Sequence, residues 1–103
     1  MHYLLTYHYT DDYLERRGAY RDQHLRLGWE AHERGQLLLG GTVGAPAHSA
    51  VLVFVCDSAQ TVEDFVQADP YFQHGLVRSH TIQPWSTVLG ATASTPVYPA
   101  KPA

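Results

Sequence analysis

A histidine, an aspartate and two arginines are the side chains here whose types and spacing suit acid–base chemistry. In the stretch Arg17-Gly18-Ala19-Tyr20-Arg21-Asp22-Gln23-His24-Leu25, His24 falls in the middle of one face of an expected helix. At 100° per residue, Tyr20, Leu27, Gly28 and Ala31 all lie within about 60° of it. That face is apolar or small and should look inward. Arg17 and Arg21 flank it in the two preceding turns. A cation beside an inward histidine makes a poor core and a reasonable anion site next to an acid/base. Asp69, held by Pro70 at the end of a second expected helix, is the carboxylate weighed as its partner. Such a carboxylate fixes the imidazole tautomer and leaves the other nitrogen to take or give a proton near neutral pH. Tyr7 joins this set, and Tyr71, Phe72 and Trp85 are expected with it as aromatic lining of a cleft.

Each of these residues also has a structural reading. A lone inward histidine is more often a satisfied core residue than a working group. Asp69-Pro70 is an ordinary helix stop, because proline disfavours helical geometry in the residue before it. Arg17 and Arg21 serve equally well as solvated side chains. Tyr3, Tyr7, Tyr9 and Tyr20 suit a core or an interface. Seven histidines invite a metal, yet none form HxH, HxxxH or HExxH, so no metal is expected. Gly40-Gly41-x-x-Gly44 lacks the Lys-Ser/Thr and the helix start of a phosphate loop.

Positioning these residues requires a scaffold, and the apolar pattern supplies one. Residues 2–9 alternate as an aromatic-rich strand, with Tyr3, Leu5, Tyr7 and Tyr9 on one face. Thr10-Asp11-Asp12 is a turn and candidate N-cap. Helical spacing runs from Tyr13 to Arg34 with a weak point at Gly18, and Gly35 ends it. Residues 36–41 read as a short strand entering a glycine-rich connection. Residues 50–56 read as a central strand, apolar on both faces. Ser58 caps a helix over 59–68 whose stripe is Ala59, Val62, Phe65 and Val66. Residues 71–75 suit one short turn, and 77–89 a last strand that Pro84 assigns to an edge or a bulge. The order β-α-β-β-α-β predicts an α+β fold, the ferredoxin-like split-βαβ arrangement: an antiparallel sheet with two helices on one face. The domain is expected over 1–89, with a proline-rich tail over 90–103 that is mobile or loosely docked. The two main helices are taken as parallel, which sets His24 and Asp69 at opposite ends unless the segment after Asp69 folds back.

Composition narrows the classes. One hundred and three residues make one small domain, and 45% apolar with 17% charged suits a globule. A net charge of −3 excludes an electrostatic nucleic-acid binder. Cys56 is the single cysteine, in an apolar run, and reads as a buried thiol. No signal peptide or membrane-spanning run is visible, so a soluble cytoplasmic protein is expected. The sheet face away from the helices has nothing left in the chain to cover it. A homodimer packed sheet to sheet follows, with association of dimers into a higher oligomer left open.

The motifs Arg17-x-x-x-Arg21-x-x-His24-Leu25, Leu37-Leu38-x-Gly40-Gly41, Ala68-Asp69-Pro70-Tyr71, Gly75 and Val77-to-Trp85 occur in this order. In that order and spacing the chain resembles the YCII-related (YciI-like) family up to about Leu89. That family is similar to the wider dimeric α+β barrel group, which includes muconolactone isomerases and small cofactor-free monooxygenases. The resemblance implies a ferredoxin-like dimer, a dimeric α+β barrel, whose cleft holds a His–Asp pair acting in acid/base chemistry. By motif match those roles fall on His24 and Asp69. One branch of the family is associated with dehydrochlorination of a hydroxylated aromatic ring. Where the family's second strand usually ends in Ala-Gly-Pro, this chain has Leu39-Gly40-Gly41-Thr42. That change falls on the cleft rim, so a relative's substrate does not carry over.

The first functional expectation is thus a small cofactor-independent lyase or isomerase acting on an anionic or phenolic small molecule. His24 moves the proton, Asp69 orients it, and Arg21 and Arg17 hold the charge, with Tyr7 and Tyr71 contacting substrate. The rivals are a non-catalytic ligand-binding or protein-interaction module, and a cofactor-free monooxygenase.

Overall fold

The chain, described over residues 1–100 by a computed structural model, runs β1 (His2–Tyr9), α1 (Tyr13–Arg16), a 3-10 turn (Arg17–Ala19) and α2 (Arg21–Glu33). It continues through β2 (Leu37–Val43), β3 (Ser49–Val55), α3 (Ala59–Ala68), α4 (Pro70–Gln73) and β4 (Val77–Trp85). The strands make one antiparallel sheet in the order β2-β3-β1-β4, the expected ferredoxin-like topology. Among the described residues no helix is long and apolar enough to cross a membrane.

Strand alternation decides the core. Tyr3, Leu5 and Tyr7 of β1 pair with Phe54, Leu52 and Ala50 of β3, and all six are buried under the helices. Val62, Phe65 and Val66 of α3 close the same core, with the Phe65 and Phe54 rings 5.1 Å apart edge to face. Ser58 caps α3 as expected, its hydroxyl accepting the Gln60 N–H at 3.0 Å. Gly35, at φ +77°, turns the chain out of α2 in a conformation other residues rarely adopt. Pro84 sits on β4, an edge strand, as its missing N–H requires. Cys56 is half-buried beside the Ser58 carbonyl.

Several boundaries differ from the sequence reading. The helix expected to begin at Ala19 or Tyr20 begins at Arg21, after a separate turn of α1 and the 3-10 segment around Gly18. Asp12 occupies the N-cap position of α1, but its carboxylate accepts from the Thr10 hydroxyl at 2.6 Å instead of capping. β4 ends at Trp85 rather than Leu89. The chain then turns back at Gly90, with Thr95 and Val97 amides bonded to the Thr87 and Val88 carbonyls. The last three residues of the expected tail, 101–103, lie outside the described residues.

The larger correction concerns helix direction. β1 and β3 are antiparallel, and each is followed by a helix that returns the chain to the opposite end of the sheet. α2 and α3 must therefore run antiparallel, not parallel. The start of α2 and the end of α3 fall at the same end.

Candidate active site

His24, one turn into α2, and Asp69, the junction of α3 and α4, are brought together by that arrangement. His24 Nδ1 lies 2.8 Å from Asp69 Oδ1. Asp69 stands at φ −76°, ψ 121°, an extended link that Pro70 imposes between the helices. Its carboxylate is fully buried and fully used. Oδ1 also accepts the Tyr71 N–H at 3.0 Å, and Oδ2 accepts the Tyr7 hydroxyl at 2.9 Å. A buried carboxylate needs such donors, because burial without them costs several kcal/mol. The arrangement makes His24 Nδ1 the donor and leaves Nε2 as the free position. Among the described residues Nε2 has no hydrogen-bond partner, and it is not a buried orphan.

The ring is fixed a second way. The Tyr71 ring stacks on His24 with centroids 3.9 Å apart and planes 11° from parallel. Hydrogen bond and stack together allow the imidazole one orientation, and His24 lies on the wall of a cavity of about 430 Å³.

That cavity opens between α2 and the β2–β3 edge of the sheet, and the sequence explains why it is not filled. α2 turns Gly28 and His24 toward the sheet where a long aliphatic would seal the gap, and β2 answers with Gly40-Gly41. A Cβ on Gly40 would meet Leu52 Cγ at 3.0 Å. Arg21 and Thr42 supply polar groups, and Tyr9, Tyr13, Trp29 and Leu39 supply apolar wall. The Tyr9 and Tyr13 rings are stacked 3.6 Å apart.

The phenols are neutral. Burial first, then neighbouring Asp69, pushes Tyr7 far up from its ordinary value. Burial and then Tyr13 do the same to Tyr9. Tyr71 is pushed up to about 12 by burial and Tyr13, against the opposing pull of Arg21 and Arg17.

The residues singled out in the sequence fall in different places. His24, Arg21 and Tyr71 line the cavity, and Asp69 stands directly behind His24. Tyr7 is buried beneath Asp69 and reaches its carboxylate rather than the cavity. Arg17 lies over the Tyr13 ring, 5.4 Å from its centroid, outside the cavity wall. Phe72 and Trp85 are not on the wall either. Phe72 turns to His80 of β4, with centroids 5.5 Å apart, and Trp85 pairs with His2 on the sheet face away from the helices. Tyr9, Tyr13 and His32 take their places. His32 lies eight residues after His24, about 80° around the same helix, and its Nδ1 is 2.7 Å from the Leu37 carbonyl. That helical spacing was a readable signal for it. Among the described residues no three His, Cys, Asp or Glu side chains gather as a metal site.

Fold and geometry together define a small α+β protein of ferredoxin-like topology with an oriented His–Asp pair on an aromatic pocket. The chain belongs to the YCII-related domain family, whose family model matches residues 1–86. Solved structures that share the fold include two of similar length. One is the 5-chloro-2-hydroxyhydroquinone dehydrochlorinase TftG from Burkholderia phenoliruptrix AC1100, in complex with 2,5-dihydroxybenzoquinone. It is 19% identical, with a TM-score of 0.73, over 84% of this chain and 95% of that one. The other is the protein Atu4242 from Agrobacterium tumefaciens, 12% identical, with a TM-score of 0.56, over 91% of this chain and 98% of that one. No curated protein matches the sequence.

Proposed function

We propose that this protein is a cofactor-independent enzyme of lyase or isomerase type, with a small phenolic or anionic substrate. The observation that carries the reading is the bond from His24 Nδ1 to buried Asp69, which leaves Nε2 free on the cavity wall. His24 Nε2 takes a proton from a substrate O–H or C–H. The imidazolium that forms is balanced by the Asp69 carboxylate, already held by Tyr7 and the Tyr71 amide. Arg21 holds the phenolate or enolate charge that develops. The proton then returns at another atom, giving an isomer, or a leaving group departs, giving elimination. TftG, a dehydrochlorinase, has a fold similar to this chain's, which supports trying hydroxylated aromatic rings first. The same reading takes the protein as a homodimer packed sheet to sheet.

The test is proton exchange. Chlorinated and unchlorinated hydroxyhydroquinones and 2,5-dihydroxybenzoquinone are incubated with the protein in D2O. Ring C–H loss is followed by NMR, and chloride release is measured alongside. Exchange or release that disappears in His24→Ala supports the reading. Equal rates in the variant would sink it. Saturable binding with no exchange, unchanged in His24→Ala, would make the chain a binding module.

A further inference from the structure

Two histidines line the cavity, and the proposed reaction uses only His24. The other, His32, stands in the last turn of α2, with its Nδ1 2.7 Å from the Leu37 carbonyl oxygen. A carbonyl only accepts, so Nδ1 carries the proton and Nε2 is the open position. Among the described residues Nε2 has no hydrogen-bond partner. The Trp29 ring meets the imidazole edge to face, with centroids 5.5 Å apart and planes at 90°. His32 is therefore held by one bond and one ring contact, as His24 is held by Asp69 and Tyr71. Eight residues of helix separate the two, about 12 Å along the axis.

The wall between them is apolar and open. Leu25 is 42% exposed, Trp29 65% and Leu39 71%, yet all three lie on the wall of this one cavity. Large apolar side chains gathered in the open around a cavity mark a surface that a ligand covers. The charge pattern says what kind of ligand. Arg21, His24 and His32 are the only basic side chains on the wall, and no Asp or Glu joins them. Arg21 and His24 stand at the start of α2 and His32 at its end. The cavity, about 430 Å³, falls within the range that takes molecules larger than a single ring.

We propose that His32 is a recognition residue for the far end of the substrate, and that the substrate is two-ended. A phenolic head meets His24 and Arg21, an apolar body lies along Leu25, Trp29 and Leu39, and an acidic O–H group reaches His32 Nε2. One shared proton serves that last contact wherever it resides, as O–H···N or as O⁻···H–N⁺. The inference rests on the proposed phenolic substrate and adds its length and its second polar group.

The test uses the full chain and a series of (2,5-dihydroxyphenyl)alkanoic acids, from the acetic to the decanoic homologue, with their methyl esters and hydroquinone. Titration calorimetry gives each Kd for wild type, His32→Ala and Trp29→Ala, and circular dichroism confirms that the variants are folded. In the wild type, affinity should rise by roughly threefold for each methylene laid on the wall, then level off. At the optimal length the acid should bind at least tenfold tighter than its ester. His32→Ala should abolish that preference, and Trp29→Ala should flatten the dependence on length. An affinity that ignores chain length, an acid and ester bound equally by the wild type, or an acid preference that survives in His32→Ala would each overturn the inference. The D2O exchange assay on hydroquinone, in wild type and His24→Ala, is read separately. Exchange lost in His24→Ala leaves the catalytic reading standing whatever the series shows, and a two-ended preference without exchange overturns that reading alone. No binding by any member of the series overturns the phenolic substrate and the two-ended site together.

Discussion

His24 Nδ1 and Asp69 Oδ1 are 45 residues apart in the chain and 2.8 Å apart in space. The contact exists because the strands that precede α2 and α3 are antiparallel, so the first turn of one helix and the last residue of the other share an end of the sheet. Pro70 then holds Asp69 extended, with its carboxylate turned to the imidazole. From this pair, its supports and its pocket come four expectations.

His24→Ala should lower turnover of any proton-transfer substrate by about 10²–10⁴-fold, the usual range for a general acid/base. Asp69→Asn should lower it as well, because the amide presents an N–H where an acceptor is needed and disturbs the tautomer. Steady-state kinetics with the D2O exchange assay measures both. Circular dichroism separates a kinetic loss from unfolding, which is a concern for Asp69→Asn since the side chain is fully buried.

Tyr7→Phe should act without touching the ligand. It removes the donor to Asp69 Oδ2 and leaves a buried carboxylate oxygen unpaired. The cost is about 1–3 kcal/mol, a fall in Tm of roughly 5–15 °C for a domain of this size. Thermal melts read the stability. A KM that changes little while kcat falls is the kinetic outcome that distinguishes support of Asp69 from substrate contact.

Arg21 and Arg17 should separate. Arg21 lines the cavity, whereas Arg17 lies over Tyr13 outside it. Arg21→Ala should weaken binding of an anionic ring such as 2,5-dihydroxybenzoquinone by about 10–100-fold, the worth of one charge-assisted hydrogen bond. Arg17→Ala should change it by less than about threefold, the scale of a surface charge. Titration calorimetry measures the two constants, and equal losses would place both cations on the ligand.

Stability should fall on the alkaline side. Tyr7, Tyr9 and Tyr71 hold their protons more tightly when folded than at the ordinary value of 10.0, with Tyr71 pushed up to about 12. Below pH 10 the folded and unfolded chains bind these protons equally, and the stabilisation is fully present. Above it the unfolded chain loses protons that the folded chain keeps, and each such tyrosine removes about 1.4 kcal/mol per pH unit. For Tyr71 the loss runs from about pH 10 to 12. Urea melts from about pH 8 to about pH 11.5 should show a midpoint that is flat and then falls, with tyrosinate absorbance appearing together with unfolding.

Much of the fold is legible in the sequence, because it rests on local signals. Alternation in residues 2–9, the apolar run to Val55, the Ser58 cap and the Asp69-Pro70 stop are each read within a few residues. The pocket lining is less legible. Trp85 and Tyr7 both look like cleft aromatics in the sequence. Register puts Trp85 on the far face, and depth puts Tyr7 beneath Asp69. Side-chain parity across paired strands is set by partners many residues away, so a strand's own letters do not say which face is which.

By itself, the sequence determined which groups are available and where the backbone must turn: an inward histidine, a carboxylate pinned before proline, and a glycine pair on β2. Those are properties of residue type and short spacing, and propensity and sterics act over such distances. Only the tertiary structure decided that His24 meets Asp69, that Tyr7 serves the carboxylate, and that Gly28 and Gly40-Gly41 leave a cavity between them. These depend on helix direction and strand register, which long-range pairing sets once the whole sheet has formed.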